Sequence, residues 1–409
     1  MVVVVPAGNS GANGPFLPDS GGCAKNVLAV GGIDPQHKPA TTHITVGFQG
    51  GKEMVVPMMT MAMPGENFKP VTLPVWYPTK GFNACEPLPK DLDLSGHVVL
   101  ASQEGCGFWP KVGNITSRNA KHMVFYNDGQ VLSTAFDMYP EVPPFFAGTI
   151  EEHSARPILA ALAKSEAINI TLSPPHPDRP LALFDPQGER PLDFTSWGGL
   201  YDLSLKPDVS AYASHIHSTS FTLGKSKEFI PGWRMYSGTS LSAPYVAGVA
   251  ALWIGEYGGR DKHGPGFAKE LHQRIISSGE TVRWGVPLDN QAPTKNLPPD
   301  DALAPASQVG SGSIDAWKVL TYNTSLDYET FALNDTANFI PTHTLKITNN
   351  ADEEVTYSFD HEPLSGYEAR AAKGPFIGAY KSIKVTDIAA DIDLPKDITV
   401  QAGESAEVE

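Results

Sequence analysis

The sequence predicts an α/β protein in which a parallel-sheet domain is split by a largely β insert and followed by a C-terminal β-sandwich. Three observations carry this. The β-branched run "VVVV" at Val2 to Val5 and the stretch "NVLAVGG" at Asn26 to Gly32 have the composition of strands covered on both faces, and helical stretches occur at Ser240 to Tyr257 and Gly266 to Ser277. Between them, Pro39 to Pro180 is mostly strands and turns. Beyond Thr321 the chain alternates polar and apolar residues as half-buried strands do.

Taken in order, Val2 to Val5 is expected to be a buried strand, which requires neighbours on both sides. Residues before Met1 would ordinarily supply them, so the reading expects the front of a larger domain to be absent, and Val2 to Val5 to form an exposed apolar edge. The insert carries "GHVVLASQEGCGFWPKVGNITSRNAKHMVFYND" at Gly96 to Asp128, read as a strand, a loop with Cys106, a short helix over Phe108 to Asn119 and a second strand. Cys85 and Cys106 stand before and after the first of these strands, either as a disulfide or as two buried thiols, leaving Cys23 free. The α/β pattern resumes after Thr195 and closes at "QVGSGSIDAWKVL", near Leu320. Strand-like "HTLKITNN", "EEVTYSFDH", "KSIKVTDI" and "DITVQAGESAEVE" follow, the last breaking off in mid-pattern at Glu409. The expected divisions are 1–38, 39–180, 181–320 and 321–409.

Composition narrows the function. The chain has 409 residues, a 41% hydrophobic fraction and a net charge of -15 without a basic patch, which argues against a nucleic-acid partner. No apolar run approaches the roughly 18 residues a membrane span needs, and the Met1 stretch has neither the charged nor the long apolar region of a signal peptide. Three cysteines are too few for a disulfide scaffold and lack metal-ligand spacing. Four N-glycosylation sequons, at Asn114, Asn169, Asn323 and Asn334, sit in polar or turn-like contexts and lean towards secretion.

The sharpest motif is "SGTSLSAPYVAGVAALW", Ser237 to Trp253. Gly238 permits a tight turn, Ser240 starts a helix, and Pro244 falls in the first turns, where a missing N–H costs least. Leu241, Val246, Val249, Ala250 and Trp253, with small residues between them, predict a helix apolar almost all round and therefore buried. Backbone N–H groups and the positive helix end surround the Ser240 hydroxyl, as an oxyanion requires. Most serines at helix starts are simple caps, but the Gly-Thr-Ser-x-Ser-Ala-Pro frame is tighter than a cap needs.

"GTSLSAP" resembles the nucleophile motif of the subtilisin-like serine proteases, and "VVVPAGNSG" resembles the same family's strand and turn bearing the oxyanion-hole asparagine. "AKNVLAVGGID", "SLKPDVSAYASHIHST" and "GSGSIDAWKVL" are similar to the family's later segments in the same order. The resemblance implies a partial subtilisin-like parallel-sheet domain, with Ser240 as nucleophile, Asn9 in the oxyanion hole, and Pro6, Ala7 and Gly8 lining the substrate pocket. Pro6 stands where the family more often has alanine. "LSGHVVLASQEGCGFWPKVGN" is similar to a protease-associated domain, and the tail to a fibronectin type III-like module. The whole resembles a minor extracellular protease of this family, acting on peptides or proteins without a cofactor.

One part of the pattern is absent. The family's catalytic acid and its His-Gly-Thr histidine lie N-terminal to the asparagine turn, and none of the twelve histidines here is followed by Gly-Thr. His97, His176, His215 and His217 read as ordinary polar residues; His215-Ile216-His217 has metal-compatible alternation but no third ligand. No stretch reads as a calcium loop. The expectation is therefore an N-terminally truncated chain, inactive alone, with a non-catalytic secreted binding protein as the alternative.

Overall fold

Residues 1–60, 68–126, 145–174, 182–185, 187–219, 233–285, 301–370, 376–386 and 388–409 are described in a computed structural model. They fall into two compact units, one from Met1–Asp34, Glu189–Ser214 and Gly238–Glu409, the other from Pro35–Gly188 and His215–Ser237.

In the first unit the strand Leu28–Asp34 is buried at every residue, as its Val/Ile/Gly composition requires of a strand covered on both faces. Val4–Pro6 runs parallel to it with Val4 opposite Leu28, and Val209–Tyr212 runs parallel with Val209 opposite Val30. Arg190–Pro191 adds a short antiparallel pairing at Asp34 and Ile33. The fold is thus α/β with a parallel sheet. The helix Thr239–Tyr257 packs on it, presenting Ala243, Val246, Ala250 and Trp253 at helical spacing to Leu28, Val30, Val209 and Ala211. Leu271 and Ile275 of the helix Phe267–Ser277 complete this core. Each of the large side chains contributes about 1.5–3 kcal/mol by leaving water.

Two expectations are corrected here. The first strand spans Val4–Pro6, not Val2 to Val5; it is half-buried and, among the described residues, pairs with one neighbour only, in keeping with the expected edge position. The helix Thr239–Tyr257 is not buried all round: Pro244, Tyr245, Ala247, Gly248, Ala251 and Leu252 are exposed, Leu252 at 61%. The sheet takes one stripe, and the apolar composition of the opposite stripe does not by itself create a partner.

Within the second unit seven strands close a barrel, in the order Asn169–Leu172, Thr42–Gly47, Glu53–Thr60, Phe146–Ile150, His122–Tyr126, Val98–Ser102, Val71–Trp76. Val98–Ser102 is parallel to both its neighbours. Alternation along it divides two cores: Val98 and Leu100 join Ile44, Val56, Val124 and Ile170, whereas Val99 and Ala101 join Val112 and Ile115 of the helix Phe108–Thr116. That helix stops short of the expected Asn119, which sits in a left-handed turn (φ 61°). Cys85 and Cys106 are bonded to each other, and Cys23 is free.

The C-terminal stretch contributes a three-stranded antiparallel sheet of Thr324–Tyr328, Leu345–Asn349 and Ser405–Val408, with two-stranded ladders Val355–Tyr357/Ile398–Val400 and Gly366–Glu368/Lys384–Thr386. Buried Asn349 ties strands together by donating its amide to Glu353 and Val400 carbonyls at 2.8 and 3.0 Å. Among the described residues no helix is long and apolar enough to cross a membrane.

Candidate active site

The turn after Val4–Pro6 meets the start of the helix Thr239–Tyr257. Ala7 N–H donates to the Val30 carbonyl (2.8 Å), and Ser196 N–H to the Gly8 carbonyl (2.9 Å), which fixes the path of Pro6, Ala7 and Gly8. Ser10 N–H donates to Ser196 Oγ at 2.9 Å. Asn9 is thereby held as an exposed residue between two anchored neighbours.

Thr239 decides the orientation of the Asn9 side chain. Its backbone N–H donates to Asn9 Oδ1 at 2.9 Å, and its hydroxyl donates to the same oxygen at 3.0 Å. The hydroxyl also accepts Gly8 N–H at 3.2 Å. A backbone N–H can only donate, so the amide oxygen faces Thr239 and the NH2 faces away. Among the described residues nothing accepts from Asn9 Nδ2. Thr239 itself is fully buried, whereas Ser240 is exposed.

Gly238 precedes them with φ 149° and ψ 149°, a conformation open to glycine alone. A methyl carbon there would lie 3.5 Å from Asn9 Nδ2 and 3.9 Å from the Ser240 backbone nitrogen. Both nitrogens, with Asn9 Oδ1 at 3.8 Å, therefore lie beside the space that the missing side chain leaves open. Gly238 N–H donates to Ala213 (2.7 Å), binding this turn to the end of Val209–Tyr212. Ser240 stands at the N-terminus of a 19-residue helix, whose orphan N–H groups favour negative charge.

The structure thus brings Ser240, Asn9 and Gly8 around one turn and places Ala7 beneath it, 1% exposed. Sequence reasoning passed over Thr239, although it lies inside the quoted motif. Ser196 and the buried pair Ser214–Asp34, where the Ser214 hydroxyl donates to the Asp34 carboxylate, also went unremarked; no local pattern marks them. In the second unit, His215 is buried with φ 56°, and burial holds the His217 imidazole below its ordinary pKa. His176 lies outside the described residues. Among the described residues no three His, Cys, Asp or Glu side chains gather as a metal site requires.

Of the sequon asparagines, Asn323 and Asn334 are exposed and Asn169 is exposed at the start of a strand. Asn114 is not in a turn; it lies in the helix Phe108–Thr116, and its amide donates to the Ala84 and Cys85 carbonyls at 2.9 and 3.0 Å. A glycan on that nitrogen leaves one N–H and so removes at least one of the two bonds.

The subtilase family, Peptidase S8, matches residues 1–278, and the chain belongs to this family. It is 27% identical over 225 residues to the PII-type proteinase of Lacticaseibacillus paracasei, covering 53% of this chain and 11% of that protein. It is 25% identical over 227 residues to the C5a peptidase of Streptococcus pyogenes, covering 55% of this chain and 17% of that protein. The chain thus spans a minor share of the length of these relatives. Among solved structures it matches the psychrophilic subtilisin-like protease Apa1 from Pseudoalteromonas sp. AS-11, at 11% identity and a TM-score of 0.36, over 79% of this chain and 64% of that one.

Proposed function

We propose that this chain carries the nucleophile and oxyanion hole of a secreted subtilisin-type serine endopeptidase. The observation that supports it most is the pair of hydrogen bonds from Thr239 to Asn9 Oδ1, which leaves Asn9 Nδ2 facing away from Thr239, with Asn9 Nδ2 and the Ser240 nitrogen both beside the space at Gly238. In this reading Ser240 Oγ attacks the scissile carbonyl of a peptide or protein. The new oxyanion accepts from Asn9 Nδ2–H and Ser240 N–H, the amine leaves, and water hydrolyses the acyl group from Ser240. Pro6, Ala7 and Gly8 line the pocket for the residue before the scissile bond.

A serine hydroxyl needs a base to take its proton, and a carboxylate to orient that base. The 409 residues contain no His-Gly-Thr sequence, so the chain alone is expected to turn over peptides at no more than the weak level left by oxyanion stabilisation. The barrel is read as a protease-associated domain and the C-terminal strands as a fibronectin type III-like module, both serving substrate access. Exposed sequons at Asn169, Asn323 and Asn334 support an extracellular location.

Fluorophosphonate labelling tests this. Slow labelling that maps to Ser240 and vanishes in Ser240→Ala is expected; labelling at rates near those of an intact serine protease refutes the inactivity, and undiminished labelling of Ser240→Ala refutes the nucleophile. The second reading, a non-catalytic peptide-binding protein, rests on the same missing motif. A native transcript with Asp-x-Gly and His-Gly-Thr in frame ahead of Met1 favours the enzyme, and an established start at Met1 favours the binder.

A further inference from the structure

The Cys85–Cys106 bond joins the loop before the strand Val98–Ser102 to the loop after it. Cys85 Sγ is the better solvated by donors: it receives the Cys106 backbone N–H at 2.9 Å and lies 3.5 Å from Lys111 Nζ. Lys111 is 2% exposed, an uncommon place for an ammonium. It also donates to the Asn83 carbonyl, at 2.9 Å, and to the Glu104 carbonyl. Gly105 (φ 90°) lets the second loop wrap the sulfur; a side chain there would begin 3.0 Å from Cys85 Sγ.

These contacts are worth little to a disulfide sulfur, which is a weak acceptor. They are worth more to a thiolate, since charge-assisted bonds are the strong ones. The arrangement therefore favours the reduced state at Cys85. Hydrogen bonds join the loops besides the S–S bond. Lys111 ties Asn83 to Glu104, Asn114 holds the Ala84 and Cys85 carbonyls, and Ser102 N–H donates to Phe82 at 2.7 Å.

We propose that Cys85–Cys106 is a thiol–disulfide exchange site, opened in place by small dithiols and re-formed by their disulfides in the reverse exchange, with Cys85 as the leaving thiolate. The reductant's thiolate attacks Cys106 Sγ, a new S–S bond forms, and the electron pair of the old bond departs on Cys85. A second thiol of the same dithiol then displaces Cys106, so the reductant leaves as a disulfide, oxidised by two electrons. Among the described residues, Lys111 is the charged side chain within reach of Cys85 Sγ. Glu86 and Glu104, beside the two loops, carry the opposing charges, but both are exposed and screened by salt. This assignment is independent of any role for Ser240.

The full chain is equilibrated with dithiothreitol at increasing reduced-to-oxidised ratios, then alkylated, and each cysteine is scored by peptide mass. Half-reduction of the wild type is expected at a ratio about tenfold less reducing than Lys111→Met requires. In the reduced wild type, Cys85 is expected to alkylate at a lower pH than Cys23, an internal reference thiol. Equal midpoints in the two proteins, Cys85 alkylating at or above the pH of Cys23, or loss of the barrel's circular dichroism on reduction each overturns the proposal. If Lys111→Met does not fold, the comparison of Cys85 with Cys23 decides.

Discussion

Thr239 is the residue on which the candidate site turns, because it holds the oxygen end of the Asn9 amide and leaves the NH2 end facing away from it. Gly238 is the complementary element, keeping open the space between the two donors. Gly238→Ala is expected to cost about 1–3 kcal/mol of stability, the usual cost of a residue held outside its allowed backbone region. It should also slow fluorophosphonate labelling of Ser240, with both read on the same preparation by urea denaturation and adduct mass. Ser240→Ala, by contrast, alters an exposed side chain and should shift stability by no more than about 0.5 kcal/mol.

At the level of elements, the helix Thr239–Tyr257 shows what a sequence pattern resolves and what it does not. Its start was legible, because Gly238, Ser240 and Pro244 obey local rules of turn and helix geometry. Its environment was not, since an apolar composition on every face cannot tell which stripe meets the sheet. Val2 to Val5 shows the same limit: β-branched runs report a capacity for burial, and the number of partner strands, one here, decides the rest. Leu28–Asp34, with a strand on either side, is buried throughout. Asn9 and Ser240 were readable because each sits in a short, constrained motif, whereas Ser196, more than 180 residues from Ser10, becomes its partner only through the fold. These environments separate two substitutions. Leu271→Ala, in the core, is expected to cost about 2–5 kcal/mol, and Leu252→Ala, on the exposed stripe, no more than about 0.5 kcal/mol, by denaturant midpoints.

For the molecule as a whole, pH dependence reports how buried groups are carried. Burial lowers the pKa of His272 below 6.5; Lys206 and the chain N-terminus push the same way, and Asp208 pushes against them. His217 is lowered by burial alone. For such groups the unfolded state takes up protons first on acidification, so their stabilisation is complete above the unfolded value of 6.5 and lost as pH falls through the folded value. The urea midpoint is expected to drop between about pH 7 and pH 5, and to drop less steeply in His272→Gln. An unchanged slope in that variant would remove His272 from the account.

The central claim, that Ser240 Oγ, the Ser240 N–H and Asn9 Nδ2 form one oxyanion site, can be measured without a catalytic base. A peptide boronic acid adds to a serine hydroxyl and presents a tetrahedral, anionic centre to the same donors. Boron NMR of the wild-type chain should show a tetrahedral adduct that is absent in Ser240→Ala, and Asn9→Ala should weaken it by about 10²–10³-fold, as expected for one lost oxyanion donor. An adduct of equal affinity in wild type and Ser240→Ala would contradict the claim.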